Sequence, residues 1–481
     1  MKRRLSHLLT LTACLTVTGC VAEPTNQANK NIVASPLPSA TASPSPAEEK
    51  AANAEPLTLP VLDAFFADES FSGSLKTRLQ LTDEQITKLK ELAHSETAKL
   101  NEENAGKGEG ESSNARSVAA EKISALIGVE KTRQLEGLVG ERWSGTADEG
   151  SDKTAPQPTN PNNLTPNAVP TDSRIVVNAP AYRMDVFDGG RLIKSYKIGI
   201  GYPQFPLPTG LRKARVIIFN PTWTPPDEPW VAKMKDISAG EKLAAGSKLN
   251  PLGPIKIPIG GPSLIHGGKS PAKLGTFASH GCVGLTTPQV QDFAKVLAQL
   301  GGAHLTDAEL TDYARDKTQT KQIKLDQPVP VELRYETIVV EDGKLHIYRD
   351  VYDQETNTEE NLRAVLEANG VRLDDLTEGE RTQVFDALAH MSGKSGAGAV
   401  RPTAQSKESP SPVGPPRSSS LVERKSKSGK KPTAVSKNQK EVVIEIAALK
   451  GKGYPSPVAF DTGSGKTRAT LPSPPKHEKQ P

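Results

Sequence analysis

The sequence predicts a mainly β domain with a few helices, preceded by a small α-helical module and flanked by long disordered linkers and a tail. Three observations carry this. Short apolar runs after residue 172 alternate with period two around tight turns, as strands do. Residues 60 to 145 instead repeat their apolar positions at helical spacing. The 481 residues include 39 glycines and 40 prolines, only 10 Phe, 8 Tyr and 3 Trp, and 35% hydrophobic residues. Average usage puts Gly plus Pro near ~12%, so one large compact domain is a poor fit. After the N-terminus no run approaches the roughly 20 apolar residues of a spanning helix.

The chain opens MKRRLSHLLTLTACLTVTGC. Lys2, Arg3 and Arg4 make a basic start and Leu8 to Val17 a short apolar run, the layout of an export signal over residues 1–20. Val17-Thr18-Gly19-Cys20 resembles the lipobox of bacterial lipoproteins, which implies removal of the signal, with Cys14 inside it, and lipid on Cys20. More than one acyl chain gives stable anchoring. An ordinary secretory signal with an incidental cysteine is the alternative. Residues 21–58, rich in Pro, Ser, Ala and Thr, read as an extended tether.

A helical module is expected over 59–146. Thr82-Asp83-Glu84-Gln85 fits a capping box ahead of Ile86, Leu89 and Leu92. A second helix from about Ala115 to Arg142 would present Ile123, Leu126, Ile127, Leu135 and Leu138, giving a helical hairpin. Residues 147–171 read as a polar linker.

The β domain is expected over 172–353. Arg174 to Val177 and Tyr182 to Phe187 read as strands, Asp188-Gly189-Gly190 as a hairpin turn and Leu192 to Gly199 as the return strand. Ala214–Phe219, Ser263–His266, Val329–Tyr335, Thr337–Val340 and Leu345–Tyr348 follow. One helix interrupts them, with Thr287 as its cap, Pro288 in its first turn, and Val290, Phe293, Ala294, Leu297 and Leu300 on one face. A helical extension is expected over 354–391, with a capping box at Thr377-Glu378-Gly379-Glu380, and a basic disordered tail over 392–481. Val442–Leu449 is an apolar island in that tail, left unassigned.

The net charge of +4 is unevenly spread: from Met391 onward there are 17 Lys/Arg against 6 Asp/Glu. The remainder is therefore acidic, and nucleic acid is a poor partner for the protein as a whole.

Once Cys14 and Cys20 are set aside, one thiol remains, Cys282, without a disulfide partner. Around it stand Ser263-Leu264-Ile265-His266-Gly267-Gly268 and Leu274 to Leu285, including Ser279-His280-Gly281-Cys282-Val283-Gly284. A nucleophilic thiol needs a neighbouring base or cation to lower its pKa from ~8.5, and donors for the oxyanion formed on attack at a carbonyl. Two of the chain's eight histidines, His266 and His280, lie within 16 residues of Cys282. An inert buried cysteine and a zinc site on His266, His280 and Cys282 are the alternatives; zinc lacks an evident fourth ligand.

Ile265-His266-Gly267, followed at a fixed interval by Ser279-His280-Gly281-Cys282-Val283, resembles the signature of the bacterial L,D-transpeptidases. The strands after residue 172, Pro206-Leu207-Pro208-Thr209-Gly210 and Asn220 to Pro226 extend the likeness over about 172–352. The resemblance implies a β-sandwich-like catalytic domain. It also implies a Cys282 thiolate as nucleophile activated by His266, with Ser279, His280 and Gly281 positioning the loop and the oxyanion, and the Cys282 backbone N–H as a donor. The substrate implied is a peptidoglycan stem tetrapeptide: the acyl group of its third residue passes to the thiol as terminal D-alanine leaves, and an amine then takes it. No cofactor or metal is implied. The family usually has arginine or asparagine where this chain has Gly284. Localisation in the bacterial cell envelope, anchored to the membrane through Cys20, completes the expectation. A thiol hydrolase on the same stems and a non-catalytic wall-binding lipoprotein stay open.

Overall fold

The structure, a computed structural model, describes residues 57–100, 111–144, 165–227, 231–392 and 439–463. The export signal, Cys20 and residues 21–56 of the tether lie outside the described residues, as do 145–164 of the second linker.

The N-terminal module holds five helices among the described residues: α1 (Leu59–Phe66), α2 (Glu69–Arg78), α3 (Asp83–Thr97), α4 (Glu111–Ile127) and α5 (Val129–Ser144). It is thus more than a hairpin. The helix expected from Ala115 to Arg142 breaks at Gly128, whose φ of +85° closes α4 in the left-handed conformation glycine tolerates. The Thr82–Gln85 capping box forms at the start of α3. Leu62, Phe65, Phe71, Leu75, Leu89, Ile123, Leu135 and Trp143 are the buried centre. Order begins before residue 59: Leu57 is buried, and Thr58 caps α1 while its hydroxyl donates to the Gln204 carbonyl at 2.6 Å.

The second body is a mainly β domain built on an eight-stranded curled sheet. Its strands are β1 (Arg174–Asn178), β2 (Arg183–Asp188), β3 (Arg191–Lys197), β5 (Gly210–Phe219), β6 (Ile255–Pro258), β7 (Leu264–His266), β9 (Val283–Gly284) and β10 (Lys321–Arg334), in the order β3-β2-β1-β10-β5-β6-β7-β9. Only β1–β10 and β7–β9 run parallel. The β2–β3 hairpin turns at Gly189 and Gly190, both at positive φ, as the twist of the flanking strands requires. A short parallel pair, β4 (Ile200–Gly201) and β8 (Phe277–Ser279), lies alongside. Gly199 and Gly284 exchange both backbone hydrogen bonds at 2.9 Å, so the β9 edge curls round to meet the chain leaving β3.

Helix α6 (Thr287–Leu300) packs Val290, Phe293, Ala294 and Leu297 onto Ile175, Met184, Ile217 and Val331. Its cap is Thr286, one residue before the expected Thr287, because Thr286 and Gln289 close a reciprocal capping box. A further helix, α7 (Asp307–Arg315), was not foreseen.

The boundary expected at 353 moves. Strands β11 (Ile338–Glu341) and β12 (Lys344–Tyr348) leave the large sheet and form a separate one with β13 (Glu441–Glu445), under α8 (Glu359–Ala368) and α9 (Glu378–Met391). Ile338, Leu345, Leu362, Val384, Leu388 and Ile444 share that core. The expectation of disorder throughout 392–481 therefore fails for 439–463: the apolar island supplies β13, and the chain then runs back along β3, where Asp461 N–H donates to Ser195 and Lys197 N–H to Asp461, both at 2.9 Å. The end of the second linker is ordered too, with Asn167 Nδ2 donating to Ile338 and its Oδ1 accepting from Val340. No helix among the described residues is long and apolar enough to cross a membrane.

Candidate active site

The site is assembled by two short parallel strands, β7 and β9. Ile265 faces Val283 and His266 faces Gly284 in register. Ile265 and Val283 are fully buried in the core. Side chains alternate along a strand, so His266, Gly284 and, one step before β9, Cys282 lie on the opposite face. By register His266 and Cys282 are diagonal neighbours across the β7–β9 pair. Cys282 is partly exposed; its sulfur lies 4.0 Å from the Pro262 carbonyl.

His266 is buried, with Nδ1 2.8 Å from the Gly267 carbonyl. A carbonyl only accepts, so the ring nitrogen facing Gly267 is the donor of that bond, and the Leu252 carbonyl also contacts the ring.

Ser279 ties the cysteine loop. Its hydroxyl donates to the Cys282 carbonyl at 2.6 Å and accepts the Cys282 N–H at 3.0 Å. This corrects one expectation: the Cys282 N–H is already engaged and is not poised as an oxyanion donor. Gly281 has a φ of +88°, which L side chains rarely adopt, and a Cβ there would come no nearer than 3.9 Å to Phe205 O. Backbone conformation demands glycine here, with open space beside it. The His280 ring is wedged edge-on between Tyr202, at 5.3 Å, and Phe205, at 4.8 Å. Edge-on ring contacts of this kind orient the imidazole.

All five residues fall within one matched segment. Residues 172–327 match the YkuD family, the L,D-transpeptidase catalytic domain. Similar solved structures include the catalytic domain of an Enterococcus faecium L,D-transpeptidase, at 15% identity and a TM-score of 0.23, covering 35% of this chain and 100% of that one. An L,D-transpeptidase from Mycobacterium tuberculosis has 13% identity and a TM-score of 0.19, covering 34% of this chain and 57% of that one. An Ldtfm–avibactam carbamoyl enzyme has 14% identity and a TM-score of 0.21, covering 34% of this chain. This chain spans about half the length of that last structure, 49%. No curated protein matches the chain.

Within the matched segment burial dominates the electrostatics of the site. Burial pushes the Cys282 thiol up from its ordinary value, against the smaller opposing effects of a Leu264 backbone hydrogen bond and the Lys269 charge. Burial, and then Lys269, lower His266 to about 3, although the Gly267 and Leu252 carbonyls pull the other way. His280 is lowered to about 3 for the same two leading reasons. These directions favour the thiol over the thiolate and neutral over protonated imidazoles.

The sequence reading missed Lys269, which acts electrostatically on all three groups, and the aromatic pair Tyr202 and Phe205. It also missed the seating of the helical module near the site. Ser112 donates to the Pro203 carbonyl at 2.6 Å, and a Cβ on Gly261 would come within 3.1 Å of the Trp143 ring. Only the glycine at 284 hinted at Lys269.

Proposed function

We propose that this protein is a peptidoglycan L,D-transpeptidase. The observation that carries the reading is the register of β7 and β9, which sets a half-buried thiol diagonally to an imidazole whose Nδ1 is held by the Gly267 carbonyl. In the proposed reaction the Cys282 proton passes to His266 Nε2 as sulfur attacks the acyl carbonyl of a stem tetrapeptide. The carbon–nitrogen bond then breaks, the same proton goes to the leaving D-alanine amine, and a thioester remains. An incoming amine gives its proton to Nε2 and takes the acyl group, and the proton returns to sulfur. Because both partners rest neutral, proton transfer accompanies attack, as general-base catalysis requires. Gly281, on the open side of the loop, is the candidate oxyanion donor in place of Cys282, with Ser279 and His280 as positioning residues.

Export and anchoring through a lipidated Cys20, in the bacterial cell envelope, complete the proposal. Replacing Cys20 with alanine should move the protein to the soluble fraction, and continued membrane association would contradict lipidation.

The testing experiment supplies the full chain with disaccharide-tetrapeptides and follows products by mass spectrometry. Cross-linked dimers support transfer. Tripeptide alone favours the hydrolase reading, and neither product from folded protein favours a wall-binding role.

A further inference from the structure

Gly284 is buried on the face that bears Cys282 and His266, and it is the strand partner of His266. It offers no side chain, yet its place is filled. A Cβ on Gly284 would lie 2.8 Å from Lys269 Cγ and 3.0 Å from Lys269 Cε. Lys269 leaves the loop that follows β7, its own N–H donating to the Leu285 carbonyl at 3.0 Å. From there its aliphatic stem lies across Gly284, and its charge acts on Cys282, His266 and His280. The long stem covers backbone, and Lys269 as a whole is half-buried. A larger residue at 284 and this path of Lys269 exclude one another, so the glycine and the lysine act as a pair.

We propose that Lys269 is the specificity-determining cation of the acyl-donor site, holding the free carboxylate of the departing terminal residue. The assignment rests on the transpeptidase reading and deepens it: it supplies, from a different strand end, the charge for which the resemblance expects a residue at 284. An ammonium at this point suits a carboxylate one residue beyond the attacked carbonyl, because a charged hydrogen bond is stronger than a neutral one and directional. The same charge pulls both Cys282 and His266 down, with burial at His266 and against burial at Cys282.

The experiment compares two donors on the full chain in detergent: a stem tetrapeptide with a free C-terminal carboxylate, and the same peptide with a C-terminal carboxamide. Release of the terminal residue gives kcat/KM for each. Wild type should prefer the carboxylate by at least about 10-fold, as expected for a hydrogen bond to a charged group. Lys269→Met, which keeps the stem and removes the charge, should bring the ratio towards one, mainly by raising KM for the carboxylate donor. Lys269→Arg should keep the preference, and Lys269→Ala/Gly284→Arg, free of the colliding atoms, should restore part of it. Alkylation of Cys282 by iodoacetamide checks that each variant retains its site. If Lys269→Met does not fold, a salt series on wild type serves: KM should rise with ionic strength for the carboxylate donor only. A wild-type ratio retained in Lys269→Met, equal use of both donors by wild type, or identical salt responses would overturn the assignment. Release from neither donor by folded wild type would instead sink the transpeptidase reading itself.

Discussion

The hydroxyl of Ser279 grips both ends of the Cys282 backbone, donating to its carbonyl at 2.6 Å and accepting from its N–H at 3.0 Å. The grip is half-buried, and it sets where the thiol emerges. Ser279→Ala leaves two backbone groups unpaired, at a cost of about 1–3 kcal/mol. We expect a lowered melting temperature and acylation slowed at least about tenfold, with Ser279→Thr recovering much of both. Unchanged acylation in Ser279→Ala would remove the residue from its positioning role.

His266 makes the domain acid-sensitive. Its folded-state pKa, lowered to about 3, lies below the unfolded value near ~6.5, so the unfolded chain binds the extra proton first as pH falls. The stabilisation is complete above ~6.5 and is lost as pH drops towards the folded value, at up to about 1.4 kcal/mol per pH unit. Denaturant titrations of wild type and His266→Gln should differ in slope between pH 6 and pH 4, roughly the window these values define. Parallel curves would contradict the neutral buried imidazole.

Because the Cys282 thiol is raised by burial, its alkylation by iodoacetamide in the absence of substrate should stay slow near neutrality and climb only above the ordinary thiol range of ~8.5. A rate plateau already reached at pH 7 would mean a resting thiolate.

The segment 439–463 clasps two sheets. Tyr454 stacks edge-on against Phe187 at 5.7 Å, and Arg183 lies over the same ring at 5.4 Å. Arg183 also pairs with Asp185 and with Glu341 of β11, joining the two sheets. Tyr454→Ala should cost on the order of 3 kcal/mol, and a chain ending at 438 would bare the edges of β3 and β12 and aggregate on heating. A truncated protein with an unchanged melting curve would show the clasp to be dispensable.

The helical module is held to the rest by polar anchors. Arg116 donates to the Tyr352 and Asp353 carbonyls at 2.8 and 2.7 Å, and Ser112 to Pro203. In Arg116→Ala/Ser112→Ala, limited trypsin should separate the module from the β domain faster than in wild type. Equal cleavage rates would mean that apolar packing alone seats it.

How much of this could be read beforehand follows the length of the signal. The β2–β3 hairpin was legible because six- and seven-residue strands flank a Gly-Gly turn, and α3 because its capping box precedes an apolar stripe. Strands β8 and β9 are two or three residues long and carry no period of their own; tertiary pairing alone makes them. Gly128 inside a helical pattern was passed over, although a positive φ there splits α4 from α5. The apolar run at 442–449 was visible, but nothing local says that its partner is β12, nearly a hundred residues upstream. At the site, residue types were legible and electrostatics were not: the pattern around Cys282 argued for a thiol lowered by its neighbours, whereas burial, which only the fold reveals, pushes it up. Lys269 was invisible for a related reason, because its importance lies in the space left by Gly284.

The most direct test of the central claim is the intact mass of the protein after incubation with a stem tetrapeptide donor. Wild type should gain one acyl group as a thioester on Cys282. His266→Gln should gain it at least about 100-fold more slowly, the scale of general-base catalysis, and Cys282→Ala should gain none. An adduct that persists in Cys282→Ala, or one that forms at the wild-type rate in His266→Gln, would contradict the account.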